Sequence, residues 1–121
     1  MSVSFTLPYP PTTNNLFINA GKARVKAPAY RAWLNTAGAE IMALRPKWVS
    51  RAIKGPYTLS LVAERPDNRR RDLGNLEKPV SDLLISMGVL KDDCDAERIE
   101  LRWSGIAPAK PGRVHVTVTP L

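Results

Sequence analysis

At 121 residues the chain is long enough for one domain around one modest core. An apolar fraction of 44% excludes a disordered polyelectrolyte, and a formal charge of +7 points to a polyanionic partner, nucleic acid before an anionic membrane. The one cysteine, Cys94, excludes an intrachain disulfide, and with no nearby His or second Cys it supports neither a zinc site nor a Cys–His nucleophile.

The N-terminus lacks the basic-then-apolar layout of a signal peptide, and no apolar run reaches the length of a membrane span. A cytoplasmic protein without membrane attachment is expected. Ser2 to Leu7 alternates, with Val3, Phe5 and Leu7 on one face, which predicts a half-buried strand. Pro8, Pro10 and Pro11 stop it, and Thr12 to Asn15 continue as turn chemistry. Leu16 to Asn19 and Ala23 to Val25 fit a hairpin across Ala20-Gly21-Lys22. Lys22, Arg24 and Lys26 make it a basic ribbon, suited either to a phosphate backbone or to protecting an edge strand.

Pro28 to Arg45 carries Tyr30, Trp33, Leu34, Ala37, Ile41 and Leu44 at spacings of three and four, the pattern of a helix with one buried face. Trp33 is thereby assigned to the core rather than to base stacking. Lys47 to Pro56 reads as a connector. Tyr57 to Ala63 alternates as a strand and ends before Pro66. Leu76, Val80, Leu83, Leu84 and Met87 share a helical face that Gly88 closes. Asn75 is a good N-cap, yet Pro79 would then fall fourth in the helix, so an irregular first turn is expected from Asn75 to Pro79. Arg98 to Trp103 and Arg113 to Thr119 complete the strands; His115 points off the apolar face and reads as a surface residue. The expected class is α/β (α+β): residues 1–121 as a small single domain, a mixed sheet with two main helices.

The charges concentrate between Pro66 and Asp95. Arg69, Arg70 and Arg71 run into Asp72; Lys78 follows, and Asp92 and Asp93 close the stretch. Acid at two points inside a basic chain suggests carboxylates holding a metal beside a bound polyanion. Simpler roles exist: Asp72 as a helix cap, Asp92 and Asp93 as turn residues, Lys78 paired with Asp82 one turn on. The helix between the two acidic points spans roughly 18 Å, so they meet only if the chain after Leu90 doubles back toward the helix start.

Arg70-Arg71-Asp72-Leu73-Gly74-Asn75-Leu76-Glu77-Lys78, then Gly88-Val89-Leu90-Lys91-Asp92-Asp93, resembles the central motif of RusA-type Holliday junction resolvases: Arg-Arg-Asp-Leu-Asp-Asn-Leu-x-Lys, a helix, a Gly and a closing Asp-Asp. Leu7 to Asn15 is similar to the family's Leu-Pro-aromatic-Pro-Pro-x-x-Asn-Asn opening, and Pro111-Gly112-Arg113 also fits. The resemblance covers nearly the whole chain in order. It implies a symmetric homodimer, bacterial or phage-encoded, that cuts four-way DNA junctions with magnesium, or manganese in its place, and no small-molecule cofactor. By position it makes Asp72, Lys78 and Asp93 catalytic, Asp72, Asp92 and Asp93 metal ligands, and Arg69, Arg70 and Arg71, with Lys22, Arg24 and Lys26, DNA contacts. One position departs: the second acid of Asp-Leu-Asp is Gly74 here. Either the remaining carboxylates suffice, or Glu77 or Glu64 substitutes, or cleavage is poor. The alternative function is a catalytically impaired relative that binds branched DNA without cutting it; a general RNA-associated basic protein is a third class.

Overall fold

Alternating apolar residues bring four distant segments into one sheet. The structure is a computed structural model and describes residues 2–11, 16–44 and 52–121. The turn expected at Thr12 to Asn15, the helix end at Arg45 and Pro46, and the first part of the connector lie outside the described residues.

The strands are β1 (Val3–Pro8), β4 (Tyr57–Glu64), β5 (Ala96–Trp103) and β6 (Arg113–Pro120), in the order β1-β6-β4-β5. β6 lies antiparallel to β1 and β4, whereas β5 runs parallel to β4, so the sheet is mixed. β2 (Phe17–Ala20) and β3 (Ala23–Lys26) form a separate antiparallel ribbon closed by Gly21 and Lys22. The hairpin sits where its glycine predicts it, with the first strand shifted by one residue to Phe17–Ala20 and the second one residue longer.

Two helices cover one face of the sheet. α1 (Pro28–Ala43) buries Tyr30, Trp33, Ala37 and Ile41, and the Trp33 indole donates to the Pro8 carbonyl at 2.8 Å. Trp33 is a core residue, as its helical spacing predicts. α2 (Glu77–Ser86) buries Val80, Leu83 and Leu84. Both helices meet Phe5, Leu7, Leu59, Leu61, Val114, Val116 and Val118 in one apolar cluster. The opposite sheet face is small and polar: Ser4, Thr6, Ser60, Thr117 and Thr119, with Ser4 and Thr6 bonding across to Thr117 and His115.

The start of α2 resolves the conflict between Asn75 and Pro79. A 3-10 turn (Leu73–Leu76) precedes the helix, and α2 begins at Glu77. Asn75 lies inside that turn and does not cap the α-helix. Pro79 becomes the third helical residue, where its missing N–H has no intrahelical partner to lose.

After α2 the chain turns at Gly88 and is held by the former connector. Ile53 N–H donates to the Val89 carbonyl at 2.8 Å, and Lys91 N–H donates to the Ile53 carbonyl at 3.1 Å. A second 3-10 turn (Asp93–Asp95) then leads straight into β5 beside Tyr57. The chain therefore does double back after Leu90.

Gly112, entering β6, has φ 74°, and a Cβ there would lie 2.9 Å from the Glu64 carbonyl oxygen and 2.9 Å from Pro66 Cβ. Gly21 also has φ 64°, but a Cβ there meets nothing within 4 Å. Gly112→Ala is expected to cost about 1–3 kcal/mol in urea unfolding, more than Gly21→Ala. Equal losses would show that the close approach at Gly112 does not matter.

Candidate active site

Asp72 occupies the cap position of the first 3-10 turn, yet its carboxylate accepts no capping bond; only its backbone carbonyl accepts, from Asn75 N–H at 3.2 Å. The side chain is exposed and uncommitted, so the simple capping role fails. It borders a small recess with Tyr9, Pro10, Pro11, Arg71, Asn75 and Leu76.

Asp92 and Asp93 are adjacent but differently employed. The Asp92 carboxylate accepts the Cys94 N–H at 3.0 Å and caps the second 3-10 turn, and that bond holds its pKa below the usual carboxylate range. Asp93 follows at the first position of the turn, with its side chain exposed. The turn-capping role thus belongs to Asp92, while Asp93, which also bonds Asp92, keeps its side chain exposed. Cys94 follows them and is exposed; the Asp92 carboxylate raises its thiol, which keeps it protonated and a poor nucleophile.

Tyr57 feels the charge of several of these groups. Its side chain is 1% exposed, and its hydroxyl has no hydrogen-bond partner among the described residues. Burial pushes the phenol up to about 12, and the negative charges of Asp93, Glu77, Asp95 and Asp92 add to the rise. Glu77 opens α2 and Asp93 follows its far end, yet both act on this one ring. The next residue, Lys78, pairs with Asp82 at 3.1 Å across one helical turn. The Asp82 bond raises the Lys78 amine, and Asp93 and Glu77 raise it further. Lys78 is a fixed cation at neutral pH, not a base. By sequence Tyr57 is only a strand residue; nothing in its spacing reveals that its hydroxyl is buried without a partner and feels these charges.

The arginine run also divides. Arg71 makes a forked pair with Asp67, Nε to Oδ1 at 3.1 Å and Nη2 to Oδ2 at 2.8 Å, and lies 5.4 Å over the Tyr9 ring. It braces the loop that presents Asp72. Arg69 is 84% exposed and only 4.0 Å from Asp67, and Arg70 is exposed with no ion pair among the described residues. These two face solvent. The Arg71 bond holds Asp67 below the usual carboxylate range, so the brace is complete above about pH 4–5 and is lost as pH falls through the depressed value. In the hairpin, Lys22, Arg24 and Lys26 are exposed; Arg24 lies 4.9 Å over Phe17, which packs edge-on against Tyr30.

Glu64 stands apart. It bonds His115 on the polar sheet face and lies 3.9 Å from Arg113. His115 is accordingly a partnered side chain, bonded also to Thr6 at 3.2 Å. An open recess of about 510 Å³ near Trp103 and Arg65 contains none of the expected site residues.

Among the described residues no group of three His, Cys, Asp or Glu side chains is placed to hold a metal ion. Asp93 and Glu77 share Tyr57 and Lys78, whereas Asp72 borders a different recess. The candidate donors are carboxylate oxygens, the ligand type that magnesium takes one or two at a time, completing its shell with water and substrate phosphate.

The architecture is that of a small mixed α/β protein with its charges gathered on the loops around α2. Residues 8–119 match the family model described as Endodeoxyribonuclease RusA. Similar proteins include the Crossover junction endodeoxyribonuclease RusA of Escherichia coli K12, 31% identical over 96% of this chain and 92% of its own length. The Enterobacteria phage 82 protein of that name is 32% identical over 94% of this chain and 91% of its own. The chain belongs to the RusA family of endodeoxyribonucleases, enzymes that hydrolyse phosphodiester bonds in DNA.

Arg70→Ala should weaken duplex and junction binding, lower the salt slope by about one and leave the melting temperature unchanged. Arg71→Ala should lower the melting temperature, because it strands Asp67. The reverse pattern in salt-titrated binding and thermal melts would overturn this division.

Proposed function

We propose that this chain is a metal-dependent, structure-selective endonuclease that nicks four-way DNA junctions in pairs during recombination and repair. The supporting observation is the return of the chain after α2, which sets Asp93 beside the start of that helix, where Glu77 and Lys78 stand. Family membership supports the substrate: the curated relatives are named for crossover junctions. The setting is the bacterial or phage-infected cytoplasm; no described helix is long and apolar enough to cross a membrane.

By the family motif Asp72 and Asp93 would hold the ion, with Asp92 fixing the turn that presents Asp93; Asp72 would have to move in from the separate recess it borders. A magnesium or manganese ion there would supply an activated water and draw charge from the scissile phosphate. Lys78, protonated throughout the neutral range, leaves Asp82 to meet charge growing on the phosphate or its leaving oxygen. Arg69, Arg70, Lys22, Arg24 and Lys26 contact flanking phosphates and set register rather than sequence. A two-fold homodimer supplies two matched sites for two symmetric nicks.

A second reading is a junction binder that does not cut. It is favoured by Gly74, which offers no ligand. A labelled four-way junction, incubated with and without magnesium, separates the two: paired nicks support the nuclease, and bound but uncut DNA supports the binder. Asp93→Asn should retain junction affinity within about threefold and lose at least 100-fold in cleavage rate, on the order of 2.7 kcal/mol of barrier. Unchanged cleavage would remove Asp93 from the mechanism.

A further inference from the structure

β4 and β5 run parallel and end together, β4 at Glu64 and β5 at Trp103. The crevice outside the carboxyl ends of parallel strands is where α/β sheets bind ligands. Here it is the open recess of about 510 Å³, a volume typical of ligand clefts. Backbone bonds fix its walls: Ser104 N–H donates to the Ala63 carbonyl at 2.8 Å, and Ala109 N–H donates to the Arg65 carbonyl at 3.0 Å. Within the loop, Ile106 N–H donates to the Ser104 hydroxyl at 3.3 Å. The recess is therefore formed before any ligand arrives.

Two flat groups line it. The Arg65 guanidinium carbon lies 3.9 Å over the Trp103 ring, and both side chains are half-buried. Arg65 has no ion pair among the described residues, and no acidic residue lines the recess. Asn68, also in the lining, is exposed and makes no side-chain hydrogen bond among the described residues. Its amide offers both donors and an acceptor. A planar cation laid on an aromatic ring, an open amide and no acid suit a flat, hydrogen-bonding group carried on an anion. A nucleobase on its own strand is such a group. In an intact duplex the bases are stacked and show only their edges, so none can enter. An unpaired strand, or the branch point of a junction, has bases that swing out.

Resting on the endonuclease reading, we propose that this recess is a nucleobase site: it takes one unstacked base of an unpaired DNA strand, stacked on the Arg65–Trp103 pair with its edge toward Asn68. The loop that carries Arg65 and Asn68 runs straight on into Arg69 and Arg70, which face solvent. Those two hold phosphates of the same strand, so backbone grip and base capture come from one short segment. Every base has a π-face, so the recess senses unpairing before sequence. A base that is already unpaired costs less to extrude than one in a helix. Preference for branched DNA thereby has a source on this chain apart from the carboxylates.

The test compares three labelled probes with the full chain, without metal, by fluorescence anisotropy: a thymidylate strand of about 12 nucleotides, an abasic deoxyribose-phosphate strand of equal length, and a duplex. The parent should bind thymidylate about tenfold or more tighter than the abasic strand. Trp103→Ala should bring the two strands to within about threefold of each other, and Trp103→Phe should keep most of the preference. Asn68→Ala, at an exposed position, should lower the preference severalfold with an unchanged melting temperature, and it decides the matter if Trp103→Ala does not fold. Duplex affinity should stay at the parent value in these variants. Arg70→Ala should instead weaken all three probes together and leave the preference intact. Equal binding of the two strands by the parent, no binding of either, a preference that survives in the Trp103→Ala or Asn68→Ala protein, or a matching loss on duplex overturns the proposal. Junction cleavage by the parent with magnesium is measured alongside. If the parent nicks junctions but does not distinguish thymidylate from abasic strand, the base site falls and the endonuclease stands. If the base preference depends on Trp103 and Asn68 while the parent nicks nothing, the endonuclease reading falls and the base site stands.

Discussion

Two backbone hydrogen bonds govern the geometry of the charged site. Ile53 receives Lys91 N–H and donates to Val89, and so pins the chain just after α2 to the segment that enters β4. Without that clamp the acidic turn would have no fixed relation to the start of the helix. With it, Asp93 is delivered to the lower end of β4 beside Tyr57, within electrostatic reach of Glu77 and Lys78. β5 then leaves parallel to β4, the one parallel pairing in the sheet. A parallel neighbour requires a crossover, and α2 with its two flanking 3-10 turns is that crossover. The site is built on the connection that the sheet topology demands.

Within this frame, neighbouring residues of like charge have separate work. Asp92 closes a turn while Asp93 stays open to solvent. Arg71 is forked onto Asp67 and laid over Tyr9, whereas Arg70 is exposed. The division follows from reach. A carboxylate two residues before a free N–H closes an Asx-type bond, and an Asp–Arg pair four apart across a bend forms a fork. The residues left over face outward. Local rigidity and surface charge thus come from the same short run.

Much of the fold was legible in the sequence because it depends on period. The strands at Val3, Tyr57 and Arg113 and the helix at Pro28 follow from alternation and from spacings of three and four. Pro79 correctly signalled an irregular start to α2. The sheet order was not legible, since β6 enters between β1 and β4 through pairings far apart in the chain, those with β1 over a hundred residues, and no local pattern encodes that. The charged stretch was legible as a motif, but the division within it was not. Asp67 four residues before Arg71 was a readable cue that the arginine run overshadowed. His115 read as an ordinary surface residue because its partner, Glu64, becomes a neighbour only once β4 and β6 pair. The setting of Tyr57 stayed hidden for the same reason, since three of the four charges it feels come from the turn that precedes β5.

The pairing of Lys78 with Asp82 bears on how the protein behaves between encounters with DNA. The amine is already neutralised by its own helix, so the charged centre presents less attraction to passing anions than its composition implies. A phosphate held nearby must compete with Asp82 for that amine. The ion pair thus sets how much uncommitted positive charge the start of α2 presents.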